Sequence, residues 1–488
     1  MNLKNAFSSY LGTRAEQQFG TLLRPVPNSR ATGGHMNHDA PSLELLGEHY
    51  NTLYGNAFNT YLLMQLVRLR PNEHTIFQLL GALTSTGIVS PGTVEPTSAV
   101  MMDIVVLVAG HIRARSEAEA TLEVIATAVK SSIVQRYSKV NGVAPIHAVA
   151  QPVTPGPIAD ISQAADNDQP GEEDLEPYIQ AVSLAIGWLS MLFEPDLETT
   201  LGSLSVWAKS HPGLEEAQLS IEDWLQTPIC HLSSGFGSLF PSLILTENTL
   251  QQHSSNLFVS TITFSALQDM GRVSIVWSES LGSHLYFDLE KRELFLFSVP
   301  SYCVLCLMSV DQMELLQKLL PRRNDISKEM ARSFLREVIL SYRLLFAQDA
   351  RSRYLFSHNE MKRLKKKYGR VTDPLLKLLC GEKFGKGIKQ LPTEIWPFSC
   401  LRYQDNDELG LVEQSTYIDT LDFPALGSRL RSIQIFSQRQ DPSLVRDMWR
   451  DRRNPMQWLA FWAVLWIGGV TIIIGVAQLI VAIIDAAK

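Results

Sequence analysis

Four short stretches of the sequence bring together residue types that can do chemistry. Cys303 and Cys306 form CVLC, the spacing used by paired zinc ligands and by redox dithiols. A closed zinc site needs four ligands, and no second CxxC or paired histidines accompany this one. The surrounding YCVLCLMSV is apolar, which suits buried structural thiols. His35 and His38 form HMNH inside a stretch rich in Pro, Gly and Asn, which is too few ligands for a metal centre. His284 precedes Asp288 by four residues, and strand alternation places both on one face. A histidine oriented by a carboxylate can act as a base, but no nucleophile accompanies the pair. Gly381 to Gly387, GEKFGKG, has the composition of a phosphate loop with the wrong spacing, and no Ser or Thr follows Lys386 to hold magnesium. HExxH, GxSxG, Walker and Rossmann patterns are missing. The sequence therefore assigns no catalytic residue, no metal ligand and no cofactor, and leaves open whether the protein is an enzyme.

The elements that would position such residues read as mainly helical. Residues 1–41 form a loose leader without a secretory apolar core. Residues 42–142 form a helical region, with Ser116 and Glu119 as a capping box before Leu122, Ile125, Val129 and Ile133. Residues 143–177 hold six prolines and seven acidic residues without a Lys or Arg, the composition of a solvated linker. Tyr178 to Phe193 is uncharged but short for a span and reads as a buried helix. Residues 178–453 form a mainly helical domain. Within it, strands near Val273–Trp277, His284–Asp288 and Glu293–Val299 predict a small antiparallel β-hairpin sheet near 272–300, with EKRE at its last turn. Past the sheet, Met330, Phe334, Val338 and Leu345 follow one helical face, and Arg332, Arg336 and Arg343 fall on others.

The strongest signal is the closing stretch, PMQWLAFWAVLWIGGVTIIIGVAQLIVAIIDAAK. From Trp458 to Ile484 no residue is charged, and as a helix this run is about 40 Å long against a hydrocarbon core of ~30 Å. Residues 458–484 are thus expected to form a single transmembrane helix. Trp458, Trp462 and Trp466 suit an interfacial belt. Arg446, Arg450, Arg452 and Arg453 precede the run, and only Asp485 and Lys488 follow it. The positive-inside rule puts the N-terminal body in the cytoplasm, a single-pass, tail-anchored topology on a membrane whose organelle stays open. Gly468, Thr471, Gly475, Gln478 and Ala482 share an arc of about 80° at 100° per residue. Such a stripe lets another helix approach closely, either from a membrane partner or from a second copy in a homo-oligomer.

The formal net charge is −7, so a whole-chain nucleic-acid binder is not expected. Against that balance, Lys362, Arg363, Lys365, Lys366, Lys367 and Arg370 make a sharp basic cluster. Beside a membrane anchor, this cluster reads either as a contact with the anionic headgroup layer of the cytoplasmic leaflet, at about 1 kcal/mol per basic residue, or as a solvated helix face.

Three blocks carry a resemblance: IVWSESLGSHLYFDLEKRELFLFSVPSYC, EVILSYRLLFAQDARSRYLF, and DFPALGSRLRSIQIF continuing into the closing stretch. They resemble a group of uncharacterised filamentous-fungal proteins with a single C-terminal membrane segment. The likeness covers roughly the last 220 residues and implies a fungal, membrane-attached product. It carries no activity, ligand or active-site residue. The expected function is a membrane-tethered, cytosol-facing interaction or scaffold protein. A membrane-anchored enzyme or accessory protein of fungal metabolism, and a pore-forming or cell-death effector, are the alternatives.

Overall fold

The structure, a computed structural model, describes residues 61, 96–116, 119–138, 175–195, 203–205, 218–220, 225–230, 255–320, 328–368, 372–381, 388, 391–403, 409–440 and 455–486. The expected leader, the HMNH pair, most of the acidic linker, Arg370, the glycine-rich loop beyond Gly381 and the four arginines before residue 455 lie outside them. The described chain is mostly helical, with small sheets and one long apolar helix near its C-terminal side.

Three helices pack on one another: α1 (Pro96–Ala114), α2 (Leu122–Ser138) and α3 (Glu176–Ser190). α1 opens on Pro96, whose missing N–H costs nothing in a first helical turn. Its buried stripe is Met101, Ile104, Val105, Val108 and Ile112. The start of α2 differs from the expected capping box. Glu119 does accept from the Ser116 backbone N–H (3.4 Å), but the helix begins six residues after Ser116, where Thr121 Oγ1 accepts from Val124 N (3.3 Å). Two cap-competent residues stand in one short segment, and the second lies next to the helix. α3 is buried along its described length, as its uncharged text predicts. It ends at Met191 in the left-handed conformation (φ 50°), whose N–H bonds Gly187 O (2.8 Å).

The sheet near 272–300 corrects the antiparallel expectation. β4 (Ser274–Ser278) pairs in parallel with β6 (Glu293–Phe297), and only β5 (Phe287–Asp288) runs antiparallel to β6, giving the order β4-β6-β5. Between β4 and β5 the chain turns on its serines. Ser278 Oγ accepts from Ser280 N (3.0 Å) and from Ser283 Oγ (3.0 Å), while Ser280 Oγ donates to Leu192 O (2.7 Å). Leu281 N and Gly282 N bond the carbonyls of Met191 and Leu192, which docks this loop on the end of α3. Alternation marks strand segments but does not say which strand lies beside which. The other strands form two-stranded antiparallel pairs: β1 (Ser203–Ser205) with β2 (Gln218–Ser220), β3 (Asn256–Phe258) with β9 (Thr416–Ile418), and β7 (Leu401–Tyr403) with β8 (Leu409–Leu411).

Around the three-stranded sheet lie α4 (Phe264–Gly271), α5 (Pro300–Met308), α6 (Val310–Leu319) and α7 (Lys328–Tyr342), which continues as a π-helical turn over Arg343–Ala347. Further on come α8 (Ala350–Leu355), a second π turn over Phe356–Glu360, α9 (Met361–Tyr368) and α10 (Gly427–Arg439). α7 and its π turn form the centre of this region, and every residue from Phe334 to Ala347 is buried. Four of those residues are polar, and each binds a different surrounding segment. Arg336 Nη1 pairs with Glu329 (2.7 Å) and its Nε donates to Glu394 O (2.8 Å). Glu337 Oε2 accepts from Ala425 N and Leu426 N (2.9 and 2.8 Å) at the start of α10. Ser341 meets His284. Arg343 meets Glu413 and Leu379 O. Arg336 and Arg343 are therefore not decoration on outer helix faces but internal connectors. Lys318 joins the two helical groups, since its Nζ donates to Ile112 O, Arg113 O and Arg115 O and so caps α1 (3.0, 2.8 and 2.8 Å).

Candidate membrane-anchoring helix and basic face

Cys303, Cys306, His284 and Asp288, the described residues singled out for chemistry, are placed where they act as structure. Cys303 and Cys306 lie in α5, fully buried, and burial pushes both thiols up, Cys306 to about 12. A protonated buried thiol is neither nucleophile nor metal ligand. Among the described residues no group of three or more His, Cys, Asp and Glu side chains could hold a metal ion. His284 and Asp288 are not brought together as a pair. Asp288 Oδ1 accepts from Glu290 N and Lys291 N (3.0 Å each) and closes the β5–β6 turn. His284 lies in a turn rather than a strand, because Leu285 takes a left-handed conformation (φ 60°) that breaks the alternation.

His284 does meet a hydroxyl that sequence spacing could not reveal. Its Nε2 lies 2.7 Å from Ser341 Oγ, the distance of a serine–histidine catalytic pair. The hydrogen-bond directions make it structural instead. Phe297 N donates to His284 Nδ1 (3.1 Å), so the ring proton is on Nε2 and points at Ser341. Ser341 Oγ spends its own proton on Val338 O (2.7 Å). A nucleophilic serine must donate to its base, whereas this one accepts. Burial, then the Arg429 charge, hold the imidazole down to about 3, so it stays neutral.

Two features remain. The first is α11 (Pro455–Ala486), a continuous helix of 32 residues. Leu459–Ile484, 26 residues, is long and apolar enough to cross a membrane, and the most apolar part of it is 0% buried. Ile467, Ile472, Ile473 and Leu479 each expose more than half of their surface. A core helix of a soluble fold covers such a surface with neighbours, and this one does not. Trp458 lies in its second turn, followed by half-buried Trp462 and exposed Trp466. At Gly468 and Gly475 an added Cβ would meet nothing, so that face of the helix is open. Thr471 Oγ1 donates to Ile467 O (2.8 Å), satisfying its hydroxyl within the helix, and Gln478 is exposed.

The second is α9. Leu364 is buried, while Lys362, Arg363, Lys365, Lys366 and Lys367 are exposed. At 100° per residue Lys362 and Lys366 point away from Leu364, and Lys365 lies about 100° to one side of it. The other two basic residues lie on the opposite side and hold the helix in place. Arg363 pairs with Glu360 (3.3 Å) and Lys367 Nζ donates to Trp277 O. Glu360 also accepts from Trp277 Nε1 (3.0 Å), so β4 and the start of α9 are tied from both sides. Burial raises the Glu360 carboxyl above the usual carboxylate range. The same rod carries Tyr354, exposed and stacked on His358 at 4.1 Å, on the N-terminal side of the lysines. The sequence reading missed this aromatic pair; its signal is the i, i+4 spacing that leads from Tyr354 through His358 to Lys362.

No family model matches the chain, no curated protein matches it, and no solved structure matches it.

Proposed function

We propose that this is a membrane-tethered interaction or scaffold protein, held by α11 with its body on the cytosolic side. The observation that carries the reading is the exposed apolar surface of α11, which water does not tolerate over 26 residues and a bilayer does. The arginines at 446, 450, 452 and 453 support the orientation. The direction of the Ser341–His284 bond removes that pair as a hydrolytic dyad. Alkaline extraction of membranes tests the anchor. Full-length protein is expected in the pellet, and a chain ending at Asn454 in the supernatant. A truncated chain that stays in the pellet contradicts the assignment to α11.

In this reading the lysine face of α9 rests on anionic headgroups of the same leaflet, with Tyr354 suited to the headgroup boundary. Lys362→Gln, Lys365→Gln and Lys366→Gln together, in a chain ending at Asn454, are expected to weaken binding to vesicles containing phosphatidylserine by about a hundredfold at low salt, at roughly 1 kcal/mol per lysine. Flotation with anionic and neutral vesicles measures it. Equal binding of the parent fragment to both vesicle types would sink the headgroup contact and leave the anchor standing.

A further inference from the structure

We infer that α11 pairs with a second copy of itself in the membrane, the two Gln478 amides hydrogen-bonded to one another, an inference that rests on the anchoring reading above. Gln478 carries the argument. It is exposed, and its amide makes no hydrogen bond among the described residues, whereas Thr471 Oγ1 is satisfied by Ile467 O (2.8 Å). In water such an amide is hydrated. In a bilayer it is not. Gln478 lies six residues before Ile484 and twelve after Trp466, about 9 and 18 Å along the axis. Its side chain is too short to reach either interface, and an amide left unpaired in hydrocarbon is costly.

The spacing around Gln478 indicates where its partner comes from. Gly468, Gly475 and Ala482 recur every seven residues, and Thr471 and Gln478 do the same three positions further on. A seven-residue repeat keeps both rows on one seam of a left-handed helix pair crossing at about 20°. At Gly468 and Gly475 an added Cβ would meet nothing, so two backbones can approach there closely enough for the Gln478 side chains to meet. One topology inserts every copy in the same direction, with Gln478 at the same depth. In a parallel pair, equivalent seam positions face each other across the two-fold axis. An amide both donates and accepts, so the two Gln478 side chains satisfy each other, the N–H of each donating to the carbonyl oxygen of the other. Any other partner helix would have to bring a polar group of its own to this depth.

The test places full-length protein, with donor or acceptor fluorophores attached after Lys488, in phosphatidylcholine vesicles over a range of protein densities. An alkaline wash removes whatever has not inserted. The parent is expected to show energy transfer that falls when unlabelled parent is added. Gln478→Leu makes the helix more apolar and so leaves insertion intact, and it is expected to need about tenfold higher density for half-maximal transfer. Gly475→Leu, which puts bulk on the seam, is expected to weaken pairing at least as much. Ala477→Leu puts similar bulk about 140° away from the seam and is expected to match the parent. Transfer in the parent no greater than that of randomly placed monomers, equal curves for the parent and Gln478→Leu, or a loss in Ala477→Leu as large as in Gly475→Leu overturns the pairing and leaves the anchor intact. Release of the full-length parent by the alkaline wash overturns the anchoring reading and this inference with it.

Discussion

Replacing Arg343 by Met is expected to lower the stability of the folded body by about 3 kcal/mol, because it removes one partner of a buried ion pair. The Arg343 side chain is 0% exposed at the π turn that ends α7. Its Nε and Nη2 both donate to Glu413 Oε1, the first at 2.8 Å, and Nη1 donates to Leu379 O (3.1 Å). Methionine replaces the aliphatic stem but none of the donors. Glu413 keeps its charge with 17% exposure, and the Leu379 carbonyl loses a donor. Both are costs of an unmade bond rather than of a lost contact. Adding Glu413→Gln removes the stranded charge, so the double variant is expected to recover about half of the loss. Urea unfolding followed by tryptophan fluorescence measures all three proteins. A double variant as unstable as the single one would place the cost in packing instead.

Raising the pH from 6.5 to 8 is expected to destabilise the protein by about 1.5 kcal/mol through Glu337, and Glu337→Gln is expected to flatten that slope. Burial lifts the Glu337 carboxyl from 4.5 to about 8, although Leu426 N, Ala425 N and Ser333 Oγ all donate to it. The folded state therefore holds a proton that the unfolded chain has released. Between 4.5 and 8 the unfolded state binds fewer protons, so stability falls as pH rises, by roughly 1.4 kcal/mol per unit. Other buried groups act lower. Asp373, raised by burial to about 6 while it caps the start of α5 through Ser301 N and Oγ, adds to the fall between 3.8 and 6. His284, lowered to about 3, works the other way, since the unfolded chain takes up a proton below 6.5 that the folded one refuses. Above 6.5 only the last few tenths of a kcal/mol of its contribution remain, so the Glu337 slope stands out. Melting temperatures of parent and Glu337→Gln at the two pH values measure it, and equal slopes would mean that Glu337 is already ionised in the folded state.

What could be read from the sequence depended on whether a signal is local. α11 was legible because charge, hydropathy and tryptophans sit in one continuous run. α3 was legible as a buried helix because Tyr178 to Phe193 is an uncharged run too short for a span. The lysines of α9 were visible as a cluster, but which three face outward follows from Leu364 being buried and from Glu360 and Trp277 engaging the other two. Arg336 and Arg343 were placed off the buried face, and Glu337 was not singled out, because their partners are remote. Glu337 binds backbone 88 and 89 residues away, and Arg343 an acid 70 residues away. Helical periodicity did carry a hint, since Glu337 falls three residues after Phe334 and one before Val338, on the apolar side. Nor could alternation give the parallel register of β4 on β6.

Protease protection of an epitope fused after Lys488 tests most directly whether α11 crosses a bilayer. Sealed membranes carrying the full-length protein are treated with protease from the cytosolic side, with and without detergent. The body is expected to be digested while a fragment containing α11 and the epitope survives until detergent opens the membrane. An epitope lost together with the body in sealed membranes would contradict it, and α11 would then lie on a surface or against another protein rather than through the membrane.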